Sequence, residues 1–173
     1  MSASFSQPLA NTASEGSLAQ KAARWAPLLV SPVLLLVALL GAGWLFVPAN
    51  PAIEAPATTL GFDELHDLAA SGVIPTTWVQ QNYFGWLGWT LVILVIALAL
   101  ATAAAGLRFV AMALAGAGLV GLAINVFAVK GALTWGQFTD QIPNIRIGGY
   151  CAIVGYILAI ALGAIGSARR ESR

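Results

Sequence analysis

The densest run of ionisable side chains in this chain is GFDELHDL, residues 61–68, which holds Asp63, Glu64, His66 and Asp67. His66 is the sole histidine among 173 residues. On a helix Asp63, His66 and Asp67 stand at i, i+3 and i+4, so three possible ligands for a divalent metal, or a proton relay, share one face. Acid-x-x-His pairs of this kind occur in di-metal carboxylate bundles, but those sites draw further ligands from other helices. No second histidine exists here, and Glu54 and Asp140 are the other acids of the same loops. A charge run is ordinarily the solvated face of an amphipathic helix. That face is the expectation, with a metal at Asp63, His66 and Asp67 as the alternative.

Other chemistries lack parts. Haem ligation by two histidines is impossible, and the single cysteine, Cys151, excludes a thiol pair or a cysteine-held cluster. No phosphate-binding glycine loop, nucleophile elbow or His-Glu zinc motif is present. No basic patch suits nucleic acid. The expectation is therefore a chain without catalytic residues and without a cofactor.

The surroundings of the acidic run explain its isolation. The chain is 59% hydrophobic and 9% charged, with a mean hydropathy of +0.84, whereas soluble domains are nearer a quarter charged. About 20 apolar residues in helix cross a hydrocarbon core of roughly 30 Å. Four blocks free of Asp, Glu, Lys, Arg and His meet that length: 25–47, 86–106, 109–129 and 147–168. The expected fold is all-α, a polytopic membrane four-helix bundle. Its outer loops are 48–85 and 130–146, and tails 1–24 and 169–173 flank the membrane domain 25–168. A first span this long, behind a polar tail, is expected to remain uncleaved rather than act as a signal peptide.

Charge sets the orientation. Lys21, Arg24, Arg108, Arg169, Arg170 and Arg173 fall on one side of such a bundle. Lys130 and Arg146 fall on the other with Glu54, Asp63, Glu64, Asp67 and Asp140. The positive-inside rule places both termini in the cytoplasm. The Ala- and Gly-rich composition, with six Arg to two Lys, suggests a bacterial gene and hence the cell inner (plasma) membrane.

The spans carry small residues rather than reactive ones. Cys151, Gly155, Ala159 and Gly163 recur every four residues in the fourth span, as do Ala113, Ala117, Gly121 and Asn125 in the third. Small-xxx-small faces let helix backbones approach closely, and an Asn can hydrogen-bond across the contact. In the first outer loop, Phe62, Leu65, Leu68 and Ala69 have helical spacing, so 61–72 reads as a short amphipathic helix. Thr134-x-x-Gln137 marks another helix start in the second loop. The two loops are expected to pack as one outer cap through Phe62, Leu65, Trp135 and Phe138, with Arg146 paired to Asp67. The aromatics Trp78, Tyr83, Phe84, Trp86 and Trp89 read as an interfacial belt.

The expected function is a non-catalytic accessory or scaffold subunit of a larger membrane assembly, of respiratory or envelope-lipid transport type. Its partners would be membrane lipids and other integral membrane proteins, or further copies of itself. The alternative is a small lipid- or quinone-binding transport protein with an aromatic-lined outer groove.

Overall fold

The computed structural model describes residues 26–168. Both expected tails, Trp25 and the cations Lys21, Arg24, Arg169, Arg170 and Arg173 lie outside the described residues. The described chain is mostly helical. Three of its helices are long and apolar enough to cross a membrane: α3 (Trp78–Ala105), α4 (Arg108–Lys130) and α6 (Ile147–Ala168). At 1.5 Å per residue these run about 33–42 Å, more than the hydrocarbon thickness.

The first apolar block behaves differently. It was expected to stay helical over 25–47, but α1 (Ala26–Leu39) ends well short of that. Gly41 adopts φ +134°, a conformation closed to most side chains. The chain then doubles back, and the Trp44 indole Nε1 donates to the Ala38 carbonyl at 2.6 Å. That bond satisfies one of the carbonyls a helix end leaves open. Residues Leu45–Val47 continue as strand β1, paired antiparallel with β2 (Thr58–Leu60), with Leu45 opposite Leu60 and Val47 opposite Thr58. No strand was expected in this segment. The absence of charge before Pro48 disguised its end, because apolarity alone does not separate helix from strand over a few residues.

The acidic run forms α2 (Phe62–Ala70). Its first turn is held by the Glu64 carboxylate, which accepts the Gly61 backbone N–H, and Gly72 at φ +69° follows its end. Helix α3 begins earlier than the expected 86, because Thr77 Oγ1 accepts the Gln80 backbone N–H at 3.2 Å and caps it. Residues Tyr83–Leu87 form a π-helical turn within α3. The widened turn brings the successive residues Tyr83 and Phe84 both into the core. Gly106, at φ +60°, closes α3 and allows the short turn to α4. Helix α5 (Trp135–Gln141) starts on the Thr134/Gln137 capping box, and a 3-10 turn, Ile142–Asn144, leads into α6.

The largest helix contact described is between α4 and α6. The buried residues of α4 are Val110, Ala111, Leu114, Gly118, Gly121, Asn125 and Ala128. From Ala111 onward they alternate steps of three and four, as an antiparallel bundle seam requires. The ladder expected at every fourth residue departs from this seam at one end. Ala113 is exposed and Ala117 half-buried, while Gly121 and Asn125 are buried. Each step of four overshoots a full helical turn by about 40°, so a strict four-residue ladder winds off the face. In α6, Gly155, Ala159 and Gly163 are buried and Cys151 is half-buried. A methyl group at Gly163 would lie 2.5 Å from the Ala111 carbonyl oxygen, and one at Gly118 would lie 3.0 Å from the Ala159 Cβ. Gly155 serves a different neighbour: a methyl there would strike Leu35 of α1 at 2.8 Å. Beside it Ser31 Oγ donates to the Gly155 carbonyl at 2.8 Å.

Gly163→Leu is therefore expected to force α4 and α6 apart and cost at least about 1–3 kcal/mol, the usual penalty of overpacking. Gly116 has nothing within 4 Å of an added Cβ, so Gly116→Leu should stay within about 0.5 kcal/mol of the parent. Thermal unfolding of the two purified variants in detergent checks the contrast.

Candidate functional site

The polar and aromatic groups gather at one end of the bundle, where both expected outer loops meet. Their junction is made by backbone. Arg146 N–H donates to the Trp44 carbonyl and Gly148 N–H to the Gly43 carbonyl, each at 2.8 Å, and Leu45 bridges Ile145. Glycine is needed at 148 because a side chain there would collide with the Ala42 carbonyl at 2.6 Å and the Trp44 ring at 2.7 Å.

Around this junction lies a buried aromatic nucleus. Phe62 packs on Trp44 at 5.6 Å between ring centroids, on Phe84 at 5.4 Å and on Tyr83 at 6.0 Å. Trp44 meets Phe84 edge-on at 5.7 Å. These tilted and edge-to-face arrangements suit the ring quadrupoles and add to the gain from burial. Gly88 leaves the room for Phe62, since a methyl there would lie 2.8 Å from the ring. The aromatics expected to form one interfacial belt thus divide. Tyr83 and Phe84 are core, whereas Trp78 and Trp86 are exposed.

The expected cap is built otherwise than through its named side chains. Phe62 belongs to the nucleus, and Leu65 is half-buried beside it. Trp135 is 56% exposed and stacks edge-on with Phe127 at 6.2 Å and Phe138 at 6.0 Å. Lys130 covers the Trp135 ring at 5.3 Å. Arg146 lies over the Phe46 ring at 4.5 Å rather than pairing with Asp67. The β1 strand stands next to Ile145 and offers Arg146 an aromatic face directly, while Asp67 is turned outward on α2. Nor do Asp63, His66 and Asp67 form a metal site. No group of three such side chains able to hold a metal occurs among the described residues. The His66 ring lies near Gly85 of α3, and Asp63, Glu64 and Asp67 remain on the exposed face.

Beneath the aromatic nucleus sits a small polar group. Asn125 Nδ2 donates to the Tyr83 hydroxyl at 2.8 Å, with both residues fully buried. This bond joins α4 to the π turn of α3. Tyr156 of α6 packs its ring where Gly121 leaves space. Its hydroxyl approaches that of Tyr83 without reaching hydrogen-bonding geometry. Asn125 Oδ1 and the Tyr156 hydroxyl are both buried and without a partner. Beside Asn125 opens a small cavity of about 20 Å³, room for little more than a water molecule and continuous in part with the surface. Val126 and Val129 of α4 line it with Gly149 and Ile153 of α6. Trp44, Phe138 and Ile145 contribute from the cap segments, and Asn125 is the amide in its wall.

Several residues that shape this region escaped sequence reasoning: Trp44, Tyr156, Gly88 and Gly118. A hydroxyl in an otherwise apolar span, as at Tyr156, is the signal that could have found one of them. It has to be paired or face a cavity.

Phe62→Ala is expected to cost about 3–5 kcal/mol, as for large-to-small changes of buried aromatics. Trp135→Ala and Arg146→Gln should each cost under about 1 kcal/mol, since exposed cation–π contacts are weak. A double-mutant cycle of Asp67 with Arg146 should show no coupling. Chemical or thermal unfolding of the five variants decides the ranking.

No protein-family model matches this chain, and neither a curated protein nor a solved structure matches it significantly.

Proposed function

We propose that this chain is a non-catalytic accessory or scaffold subunit of a larger membrane assembly. It spans the cell inner membrane four times with both termini cytoplasmic. The observation that carries the reading is the platform at the cap end. There the 43–60 hairpin, α2 and the 131–146 segment are tied together by backbone bonds and the Phe62 nucleus. This platform presents an acidic helix face next to Val73, 80% exposed, and Trp78, 70% exposed. A fixed surface combining charge with large apolar side chains suits a protein partner. The partner would be another integral membrane protein of a respiratory or envelope-lipid transport complex, or a second copy. The cation distribution supports the orientation, with Arg108 at the opposite end from the acids.

Two measurements test the proposal. In a Cys151→Ala background, cysteines at Ser4 and Ala57 are expected to label from opposite sides of the membrane. Labelling from the same side would overturn both orientation and span count. Purification in gentle detergent should yield stoichiometric partner chains, and Asp63→Lys with Asp67→Lys should remove them while leaving thermal stability unchanged. A chain that purifies alone and monomeric would sink the accessory role.

A further inference from the structure

Helix α6 has two faces of opposite character. Its small residues turn inward, while Ile147, Tyr150, Val154, Ile157 and Ile165 are each at least 44% exposed. With the exposed Ala161, they follow the three- and four-residue spacing of a single helix face. The stripe runs down a helix long and apolar enough to cross a membrane, where acyl chains are what such a face meets. At its cap end stands Arg146, which is also exposed. The Arg146 carbonyl accepts the Tyr150 N–H at 3.3 Å and so opens the helix. Its guanidinium is held over the Phe46 ring, 4.5 Å from the centroid. A guanidinium lying on a ring uses its face and keeps its five N–H donors at the edge. Among the described residues those donors have no acceptor, and no carboxylate pairs with the charge.

We infer that Arg146 binds the phosphodiester of a phospholipid in the leaflet at the cap end, with the lipid's acyl chains lying along the α6 stripe. The charge and the stripe together select the occupant. An uncharged lipid would cover the stripe but leave the guanidinium donors to water. A soluble anion would satisfy the donors but gain nothing from the apolar surface that starts beside them. A phospholipid does both, and the guanidinium fork matches two oxygens of its phosphate. Tyr150, one turn along the helix, sets an amphipathic ring at the depth where a headgroup joins its tails. Phe46 holds the arginine in place beforehand, which lowers the entropy lost when the phosphate arrives. The inference rests on α6 crossing a bilayer and not on the accessory role.

The test uses the full chain in an uncharged detergent with 13C-labelled isoleucine δ1 methyl groups. It is titrated with dioleoylphosphatidylglycerol and, separately, with dioleoylglycerol, which has the same chains and no phosphate. Ile147 and Ile157 are expected to shift saturably with the phospholipid, while Ile93, exposed on α3, follows uptake of lipid into the micelle only. Dioleoylglycerol should need about tenfold higher concentration at the same methyls, the effect of losing a charge-assisted hydrogen bond. That comparison is made in the parent and needs no substitution. Arg146→Gln should bring the two lipids to equal affinity, whereas Lys130→Gln, which removes the other cation of this end, should leave the preference intact. Three results overturn the inference. If dioleoylglycerol binds the parent as well as the phospholipid does, the stripe takes any acyl chain and Arg146 has no part in it. If soluble glycerol 3-phosphate displaces the phospholipid at equal concentration, Arg146 holds a free anion and not a lipid. If neither lipid shifts Ile147 saturably and Arg146→Gln instead breaks up an oligomer, the cation meets a carboxylate of another chain.

Discussion

The cap end hangs on one hydrogen bond, from the Trp44 indole to the carbonyl of Ala38. To make it, the chain must leave α1 at Gly41 and fold back beneath the helix it has just completed. That reversal puts the Trp44 ring in the core and its carbonyl in reach of Arg146 N–H. It also directs residues Leu45–Val47 out as a strand. The start of α6, the hairpin and the floor for Phe62 are all consequences of where this indole lies. A buried indole without a partner would be costly, so the geometry admits little slack. The first long apolar block is thereby divided between a helix and a strand.

Below the cap, close packing takes over. Helices α4 and α6 approach through glycines and alanines, and the bulky residue between them, Tyr156, is accommodated by the missing side chain of Gly121. The same rule holds for α1, where Ser31 and Leu35 use the space at Gly155. In an apolar surrounding, helices gain little from burying hydrophobic faces against each other. Dispersion contacts and a few polar bonds do the joining. Asn125 with Tyr83 and Ser31 with the Gly155 carbonyl are two such bonds, each linking residues distant in sequence.

How much of this was legible in the sequence depended on the signal. Long uncharged runs gave α3, α4 and α6 within a few residues, except where a capping threonine moved the start of α3. The amphipathic spacing of Phe62, Leu65 and Ala69 located α2, and Thr134 with Gln137 located α5. What could not be read was anything set by contact between segments. Aromatics near a span end have the same composition whether they face a membrane interface or pack together, so Tyr83 and Phe84 were misassigned together. Pairing of Arg146 with Asp67 followed from charge alone, and an aromatic face nearer at hand took the cation. The small-residue ladder in α4 was read at a four-residue period, while the seam follows three and four in alternation.

The π turn at Tyr83–Leu87 has a consequence for how this chain can change over time. It acts as one extra residue of register set between the capped start of α3 and its apolar body. Losing a single residue there would restore regular helix with Gly88–Ala105 in its present orientation, because the widened turn already absorbs the extra residue. Losing one just beyond it, before Leu91, would instead rotate the rest of α3 by about 100° relative to the cap. Leu91, Val92, Val95 and Ala99, now buried, would then turn away from α4 together, and no single point substitution could recover them. Descendants of this sequence should therefore change the length of α3 within the π turn far more readily than in the apolar body that follows it.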